Sequence, residues 1–382
     1  MTADCLADQR NKKAAYFLLT SEYLGRPLDE GVIRALLALD YQVDLFAPGL
    51  TPAATQLFPG AFVTLFPCEY RLQWLINQLL RREWHHYELF LGTSDLPMAI
   101  AGALSKRFGG RCIAVCDEIF LGGYEGNARK GYWKYLVRRG MQQAAMTIIT
   151  DLCRVDLQQR YAGLGPKHRF LEYPCCYCET DFQHTRKYWK DYLGLRSDNL
   201  TLSFSGHTST STGAHWVINS LDRLPPQIRI LFQPGGSGAD PFMSAVLRHL
   251  SNLDDRVLFI PGRNSSFVEA MSLNLASDIG LVFYLSPKPQ FQRMGLSSNK
   301  LCMYLKMARP VIASRQPSFD FLEEHKAGVL IESEEEIPDA VEQIASSYAA
   351  YSLGAEDCFH KFIRPRERLE SLSSAILDLS RR

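Results

Sequence analysis

Short apolar runs alternate with amphipathic stretches from one end of the chain to the other. Runs at 14–20, 42–47, 61–66, 88–91, 111–116 and 147–149 are continuous rather than alternating, the pattern of strands covered on both faces in a parallel sheet. Between them, 31–39, 71–84 and 97–107 carry apolar residues at helical spacing. The pattern restarts near residue 200. There 200–205, 227–232, 256–260, 278–283, 310–313 and 329–331 read as strands, and 214–221, 241–250, 267–276, 299–307 and 337–348 as helices. Such alternation predicts an α/β fold with parallel sheets. The two series are separated by 174–198, PCCYCETDFQHTRKYWKDYLGLRSD, a polar, aromatic and poorly periodic stretch that reads as a linker or the start of one. No repeat of roughly 20–50 residues appears. The expected organisation is two Rossmann-like domains, 1–180 and 181–357, followed by a charged C-terminal helix, 358–382, free to pack back on the first. Ligands of such sheets sit outside the carboxyl ends of the strands, which in a two-lobed chain face a cleft.

Composition narrows the class. The chain has 382 residues, with 46% hydrophobic and 22% charged, which is globular and excludes long disorder. Its 42 basic and 41 acidic side chains leave a net charge of +1, which excludes a broadly basic coat, and no nucleic-acid partner is expected. No stretch reaches the roughly 18 uncharged apolar residues of a membrane span; the longest candidate, 89–104, is broken by Ser94, Asp95 and Pro97. The opening MTADCLADQRNKK has early acids and no apolar run of secretory length. The expectation is a cytoplasmic protein whose ten cysteines are reduced. Cys175, Cys176 and Cys178 cluster, with Cys153 and His184 nearby, but zinc needs four ligands at workable spacing and no second Cys-x-x-Cys pair exists. Buried thiols are the preferred reading; no metal and no cofactor are expected.

Several familiar signatures are missing. There is no G-x-G-x-x-G after the first strand, no Walker A sequence and no G-x-S-x-G elbow. The informative segment is SSNKLCMYLKMARPVIAS, 297–314. Ser298 and Asn299 are good N-caps. They open a helix that ends near Arg309, before Pro310 starts a strand. Lys300 falls in the first turn, where a cation is disfavoured by about 0.3–1 kcal/mol. A diphosphate bound at the helix N-terminus would remove that conflict; an exposed lysine tolerating the small cost is the plain alternative.

This segment resembles a signature of GT-B glycosyltransferases that use nucleotide-sugar donors, Ser/Pro-x-Lys-Leu-x-Glu-Tyr-x-x-x-Gly-x-Pro-Val-Ile/Val. It matches at Ser298, Lys300, Leu301, Tyr304, Pro310, Val311 and Ile312. LTLSFSGHTSTSTG (200–213), LFQPGGSG (231–238) and VLFIPGRN (257–264) are similar to the donor domain's strand-and-loop segments. LGTSDLP (91–97) and CDEIF (116–120) resemble stretches of one subset. The resemblance implies a GT-B fold and a nucleotide-diphosphate sugar held by His207, Thr208, Ser209, Gly235, Arg263, Tyr284, Ser298, Asn299 and Lys300. The chain also departs from the family. Gly295 and Met303 stand where two glutamates commonly grip the donor, and His207 and Thr212 fall near the positions of the family's Arg and Lys. Ala308-Arg309 displace the glycine before Pro310.

Asp95, Asp117 and Glu118 follow strand ends and are the candidate catalytic carboxylates, one of them a base on the acceptor hydroxyl. Asp95 could instead cap the helix near Pro97, and Asp117-Glu118 could be a solvated loop. Glu22 is a weaker candidate. The stretch 129–139, RKGYWKYLVRR, holds five cations and three aromatics. It suits an anionic membrane face or a lipid-linked acceptor, or an amphipathic helix with Trp133, Leu136 and Val137 in the core. His85-His86 reads as surface. The expected function is transfer of a sugar from a nucleotide-diphosphate donor to a glycan or glycolipid acceptor, in polysaccharide or glycoconjugate synthesis. The alternatives are a nucleotide-sugar epimerase on the same fold and a non-catalytic partner protein.

Overall fold

The computed structural model describes residues 12–49, 63–67, 83–119, 128–177, 184–235, 240–260 and 271–381. The chain divides into two compact units, Met1–Cys178 with Pro365–Arg382, and Glu179–Arg364. Arg263, Cys178 and most of the 71–84 helix lie outside the described residues, as does the first part of the 267–276 helix.

The first unit is built on a seven-stranded sheet in the order β3-β2-β1-β4-β5-β6-β7, every pair parallel. Its strands are β1 (Lys13–Phe17), β2 (Gln42–Ala47), β3 (Val63–Pro67), β4 (Leu89–Thr93), β5 (Arg111–Cys116), β6 (Met146–Ile149) and β7 (Phe170–Glu172). The helices are α1 (Pro27–Ala38), α2 (Leu96–Phe108), α3 (Ala128–Gln143) and α4 (Val155–Ala162). β4 and β6 are buried at every position, which is why their sequence shows no alternation. One face packs Val32, Ile33 and Leu36 of α1 with Leu372, Ala375, Ile376 and Leu379 from the C-terminal end of the chain. The other packs Met98, Ile100, Val137, Met141 and Leu157.

The second unit has a six-stranded parallel sheet, β10-β9-β8-β11-β12-β13. These strands are β8 (Leu200–Gly206), β9 (Ile228–Pro234), β10 (Val257–Phe259), β11 (Ile279–Val282), β12 (Val311–Ser314) and β13 (Gly328–Ile331). Its helices are α5 (Arg186–Tyr192), α6 (Ala214–Ser220), α7 (Pro241–Leu253), α8 (Asn299–Lys306), α9 (Asp320–Glu324), α10 (Ile337–Ser346) and α11 (Tyr348–Cys358). A π turn, Phe359–Ile363, and Arg364 at φ +42° lead into the last helix, α12 (Pro365–Arg381), which belongs to the first unit.

Strand order reverses once in each sheet, between β1 and β4 and between β8 and β11. In open parallel sheets such a reversal leaves a crevice at the carboxyl ends of the two strands, because their crossover connections leave toward opposite faces.

Two expectations need correction. The 174–198 stretch is not all linker: Thr185 accepts a bond from Tyr188 N (3.2 Å) and caps α5, and Trp189 packs against Leu231, Leu273 and Ala276. A seven-residue helix with one large buried residue gives too little periodicity to be seen. The strand β7 was likewise not anticipated, its three residues being only half-buried.

The closest helix approach is between α2 and α3. A Cβ on Gly102 would lie 2.5 Å from Gly140 Cα, and one on Gly140 would strike Met98 O. Both neighbours are backbone, so neither can swing aside. Gly140→Ala is therefore expected to lower stability by about 1–3 kcal/mol, the usual cost of overpacking, measured by urea denaturation. An unchanged midpoint would contradict that packing.

Candidate active site

In the second unit the carboxyl ends of β8, β9, β11 and β12 carry the donor candidates. His207 follows the last residue of β8. Gly206 O accepts from Gly235 N at 2.8 Å, which holds the β8 and β9 loops side by side. Thr212 Oγ1 accepts from Ser209 N (3.0 Å) and donates to His207 O (2.7 Å), closing a tight turn before Gly213 at φ +74°. Asp240 N donates to Thr208 O at 3.3 Å, and Leu285 N to Ser211 O at 2.8 Å. The last of these ties the β11 loop to the β8 loop across the strand-order reversal.

The β11 loop then positions α8. Tyr284 N donates to Ser314 Oγ at the end of β12 (3.0 Å), and Tyr284 Oη pairs with Ser298 Oγ (2.8 Å). Ser298 is buried and caps the helix, its Oγ accepting from Leu301 N at 3.3 Å. Tyr304, one turn on, is buried against Gly280 and bonds Ser203 and Ser205 through its hydroxyl. The helix is thereby pinned to β8 and β11 from below, with its N-terminus held at the crevice.

Lys300 stands in that first turn. Its Nζ lies 4.9 Å from the Tyr284 ring centroid and 5.1 Å from that of Phe204. The rings supply a cation–π field but no charge, and no carboxylate lies within 4 Å among the described residues. Burial pushes the ammonium pKa down to about 7. The side chain is half-buried rather than sealed, so water at its open edge moderates that fall. The His207 imidazole is lowered by partial desolvation first and then by Lys300, with Asp240 opposing. Buried polar atoms without partners collect in the same loops: Thr208 Oγ1, His215 Nδ1 and Asn299 Oδ1.

Of the donor residues expected from the sequence, His207, Thr208, Ser209, Gly235, Tyr284, Ser298, Asn299 and Lys300 all lie on these carboxyl-end loops or on α8. Asp240 and His215 were missed. Asp240 looks like an ordinary N-cap, which it also is, accepting from Phe242 N at 2.9 Å. Gly295 and Met303 are both buried, and Gly295 N is satisfied by Ser318 Oγ at 3.1 Å, so no carboxylate stands at either position.

In the first unit the candidate carboxylates follow adjacent strands. The register pairs Thr93 of β4 with Val115 of β5, and Ser94 N donates to Val115 O (2.9 Å). Asp95 occupies the N-cap position of α2, but its side chain makes no capping bond. Its backbone is at φ +84°, ψ −144°, a conformation of glycine rather than aspartate. Burial, and then the Asp95 carboxylate, push the Tyr161 phenol up to about 12. Asp117 is not a solvated loop residue: it is mostly buried and pairs with Arg26 before α1. Arg154 is fully buried beneath it, donating to Asp117 O (3.1 Å), with an Nη2 3.9 Å from Glu118. Burial and the neighbouring Asp117 raise Glu118, although 43% of its side chain still meets solvent. Arg26, Arg154 and the buried Asp29 are the residues that sequence reasoning missed here. Asp29 looks like a first-turn helix acid, and Arg154 carries no sequence signal.

The remaining candidates are quickly placed. Cys175 and Cys176 are buried and form no disulfide. His85 and His86 are exposed and, with Glu83, form the one group among the described residues whose atoms could share a metal ion; it stands ahead of β4, at the opposite end of the strands from the carboxylates. On α3, Val137 is buried and Leu136 packs on the core, while Tyr132 and Tyr135 are 60% and 57% exposed. Arg138 is turned inward to Tyr161 O (2.5 Å). No helix among the described residues is long and apolar enough to cross a membrane.

Known structures share this fold over nearly the whole chain. Sucrose-phosphate synthase from Thermosynechococcus elongatus superposes with a TM-score of 0.64 at 15% identity, over 97% of this chain and 98% of that one. Anabaena Alr3699/HepE, solved in complex with UDP-glucose, gives 0.68 at 14%, over 96% and 99%. A structure described as a putative UDP-N-acetylglucosamine 2-epimerase from Listeria monocytogenes gives 0.60 at 11%, over 96% and 94%. No protein-family model and no curated protein matches the chain. The expectation of two Rossmann-like units in a divergent GT-B fold is thus borne out.

An anionic ligand at Lys300 would favour its charged form, so binding draws a proton from solvent when the empty site is partly neutral. Near pH 8, calorimetry in buffers of different ionisation enthalpy should show uptake of up to one proton per nucleoside diphosphate bound. Lys300→Met should abolish the uptake and weaken binding by about 1.5–3 kcal/mol, the range of a charge-assisted bond. Uptake unchanged in the variant would remove Lys300 from the site.

Proposed function

We propose that this chain is a glycosyltransferase that moves a sugar from a nucleotide-diphosphate donor to a glycan or glycolipid acceptor. The observation that carries the reading is Lys300: a half-buried ammonium with no counter-ion among the described residues, in the first turn of a capped helix, at the strand-order reversal of the second sheet. A diphosphate supplies the missing charge and accepts from the Asn299 and Lys300 backbone N–H groups, which have no intrahelical partner. As the glycosidic bond to the donor breaks, negative charge grows on the leaving diphosphate, and the ammonium and helix N-terminus stabilise it without a metal. The UDP-glucose complex of Alr3699/HepE supports a uridine donor. Arg263, which lies outside the described residues, is a further candidate cation.

In the first unit, Asp117, Asp95 and Glu118 are the groups offered to the acceptor hydroxyl. Asp117, oriented by its pairing with Arg26, is the first of these candidates. A base acting in the transition state contributes about 10²–10⁴-fold. At least one of Asp95→Ala, Asp117→Ala and Glu118→Ala should lose that much in transfer rate while donor affinity stays within twofold. Wild-type rates in all three would sink the assignment. The fold is also that of the epimerase named above; release of an altered free sugar without any acceptor would favour that second reading.

The acceptor's setting is read from α3. Exposed Tyr132 and Tyr135 stand on a cationic stretch with exposed Arg139. Each cation near an anionic surface contributes about 1 kcal/mol, within a Debye length. The enzyme is proposed to work in the cytoplasm and to touch anionic membranes through 129–139 during glycoconjugate synthesis. Sedimentation with anionic liposomes should show binding in low salt that is lost in high salt. No binding in low salt would discard membrane contact and leave a soluble acceptor.

A further inference from the structure

Three cations of the second unit gather at the amino ends of its strands, away from the carboxyl-end loops, and the proposed transfer has no use for them. Asp278, immediately before β11, is their centre. Its backbone N donates to Thr201 O at 2.8 Å, and its Oδ2 accepts from Thr201 N at 2.9 Å, which fixes the carboxylate at the start of β8 and β11. Arg186 of α5 donates to Oδ1, and Lys190 Nζ, one turn further along, lies 3.5 Å from Oδ2. Tyr348 Oη, at the start of α11, donates to Asp278 O at 3.1 Å and accepts from Arg309 Nη1 at 3.5 Å. Arg309 is only 9% exposed. That long bond to a phenol is its one side-chain partner among the described residues, and its Nε is buried with none. A buried guanidinium with its donors unmade is costly, and a methionine would fill the space without that cost.

The backbone holds Arg309 in this place. Ala308 stands at φ +54°, a left-handed conformation that favours glycine. Ser352 Oγ donates to Ala308 O at 2.8 Å, and Arg309 N donates to Tyr304 O at 2.9 Å. These are the two residues that displace the glycine before Pro310. One carboxylate stands among three cations, so two positive charges remain in surplus among the described residues. The one acid of α5, Asp191, is exposed and pairs with none of the three. We propose that Arg186, Lys190 and Arg309 form a second anion site, which takes a phosphate dianion, as inorganic phosphate or as the phosphate end of a phosphomonoester. Such a group carries about −1.5 to −2 charges near pH 7, which matches the surplus, and its oxygens accept from several donors at once. The side chains of Arg186 and Lys190, 38% and 20% exposed, open the cluster to solvent. Asp278 is already paired with both, so Arg309 is the member with bonds still to give. Its planar fork suits phosphate oxygens. Lys300 opens α8 and Arg309 follows its end, on the order of 13 Å away by helical rise. One phosphate therefore does not reach both.

The test needs neither donor nor transfer, so its failure and that of the transfer reading are separate. Inorganic phosphate and glycerol 3-phosphate are titrated against the intact chain in a thermal-shift assay, with sodium chloride at equal ionic strength as the control for screening. Inorganic phosphate should raise the melting temperature of the wild type above the chloride control and saturate. Lys300→Met should keep that response, with an apparent Kd within twofold of wild type. Arg309→Met should weaken it at least tenfold. Lys190→Met, at a more exposed position, should weaken it at least threefold, and it carries the test if Arg309→Met does not fold. An equal response to glycerol 3-phosphate supports a phosphomonoester as the ligand, and a response to inorganic phosphate alone supports the free ion. No saturable response to either in the wild type overturns the proposal, because the surplus charge is then met within the chain. A response lost in Lys300→Met but kept in Lys190→Met and Arg309→Met also overturns it, because the phosphate is then bound at the donor helix.

Discussion

The second unit's candidate site turns on a cation that has no counter-ion among the described residues. Lys300 sits where the helix dipole opposes it, between two rings that carry no charge, close to His207. The helix dipole and the partial burial both disfavour the ammonium, and only the two ring faces offset them. Much of the second unit nonetheless serves to hold the side chain there. Tyr304 anchors the helix from beneath through Ser203 and Ser205, Ser298 caps it, and Tyr284 ties that cap to the end of β12. A cation held in so fixed a place is the observation on which the proposed anionic ligand rests.

The first unit uses the opposite device. Its cluster is internally balanced: Arg26 with Asp117, Arg154 with Glu118, and Asp29 kept neutral by its surroundings. The parallel topology puts each cluster at the carboxyl ends of its own sheet, at the point where strand order reverses.

Much of this was legible in the chain. Continuous apolar runs located the buried strands because both faces of β4, β6, β11 and β12 are covered, leaving no room for polar alternation. The 297–314 segment located the donor helix because a cap, a misplaced cation and a following proline stand close in sequence. What was not legible lies in contacts between distant positions. Arg26 and Asp117 are 91 residues apart, and Arg154 reaches back 37 to the same loop. Nothing local distinguishes Asp29 from any first-turn acid until the Tyr16 ring is seen beside it. The α5 helix escaped notice for a different reason, since its only core residue is Trp189 and one residue has no period.

The most direct test of the central claim compares nucleoside, nucleoside monophosphate and nucleoside diphosphate, with and without an attached sugar, as stabilisers of the intact chain in a thermal-shift titration. A ligand that binds the native state alone raises apparent stability in proportion to the logarithm of its concentration over its Kd. The account predicts a clear rise for the diphosphates and their sugars, a much smaller one for the monophosphate and none for the nucleoside, since the second phosphate is the group that meets Lys300. Equal shifts for all four, or none for any, would contradict it.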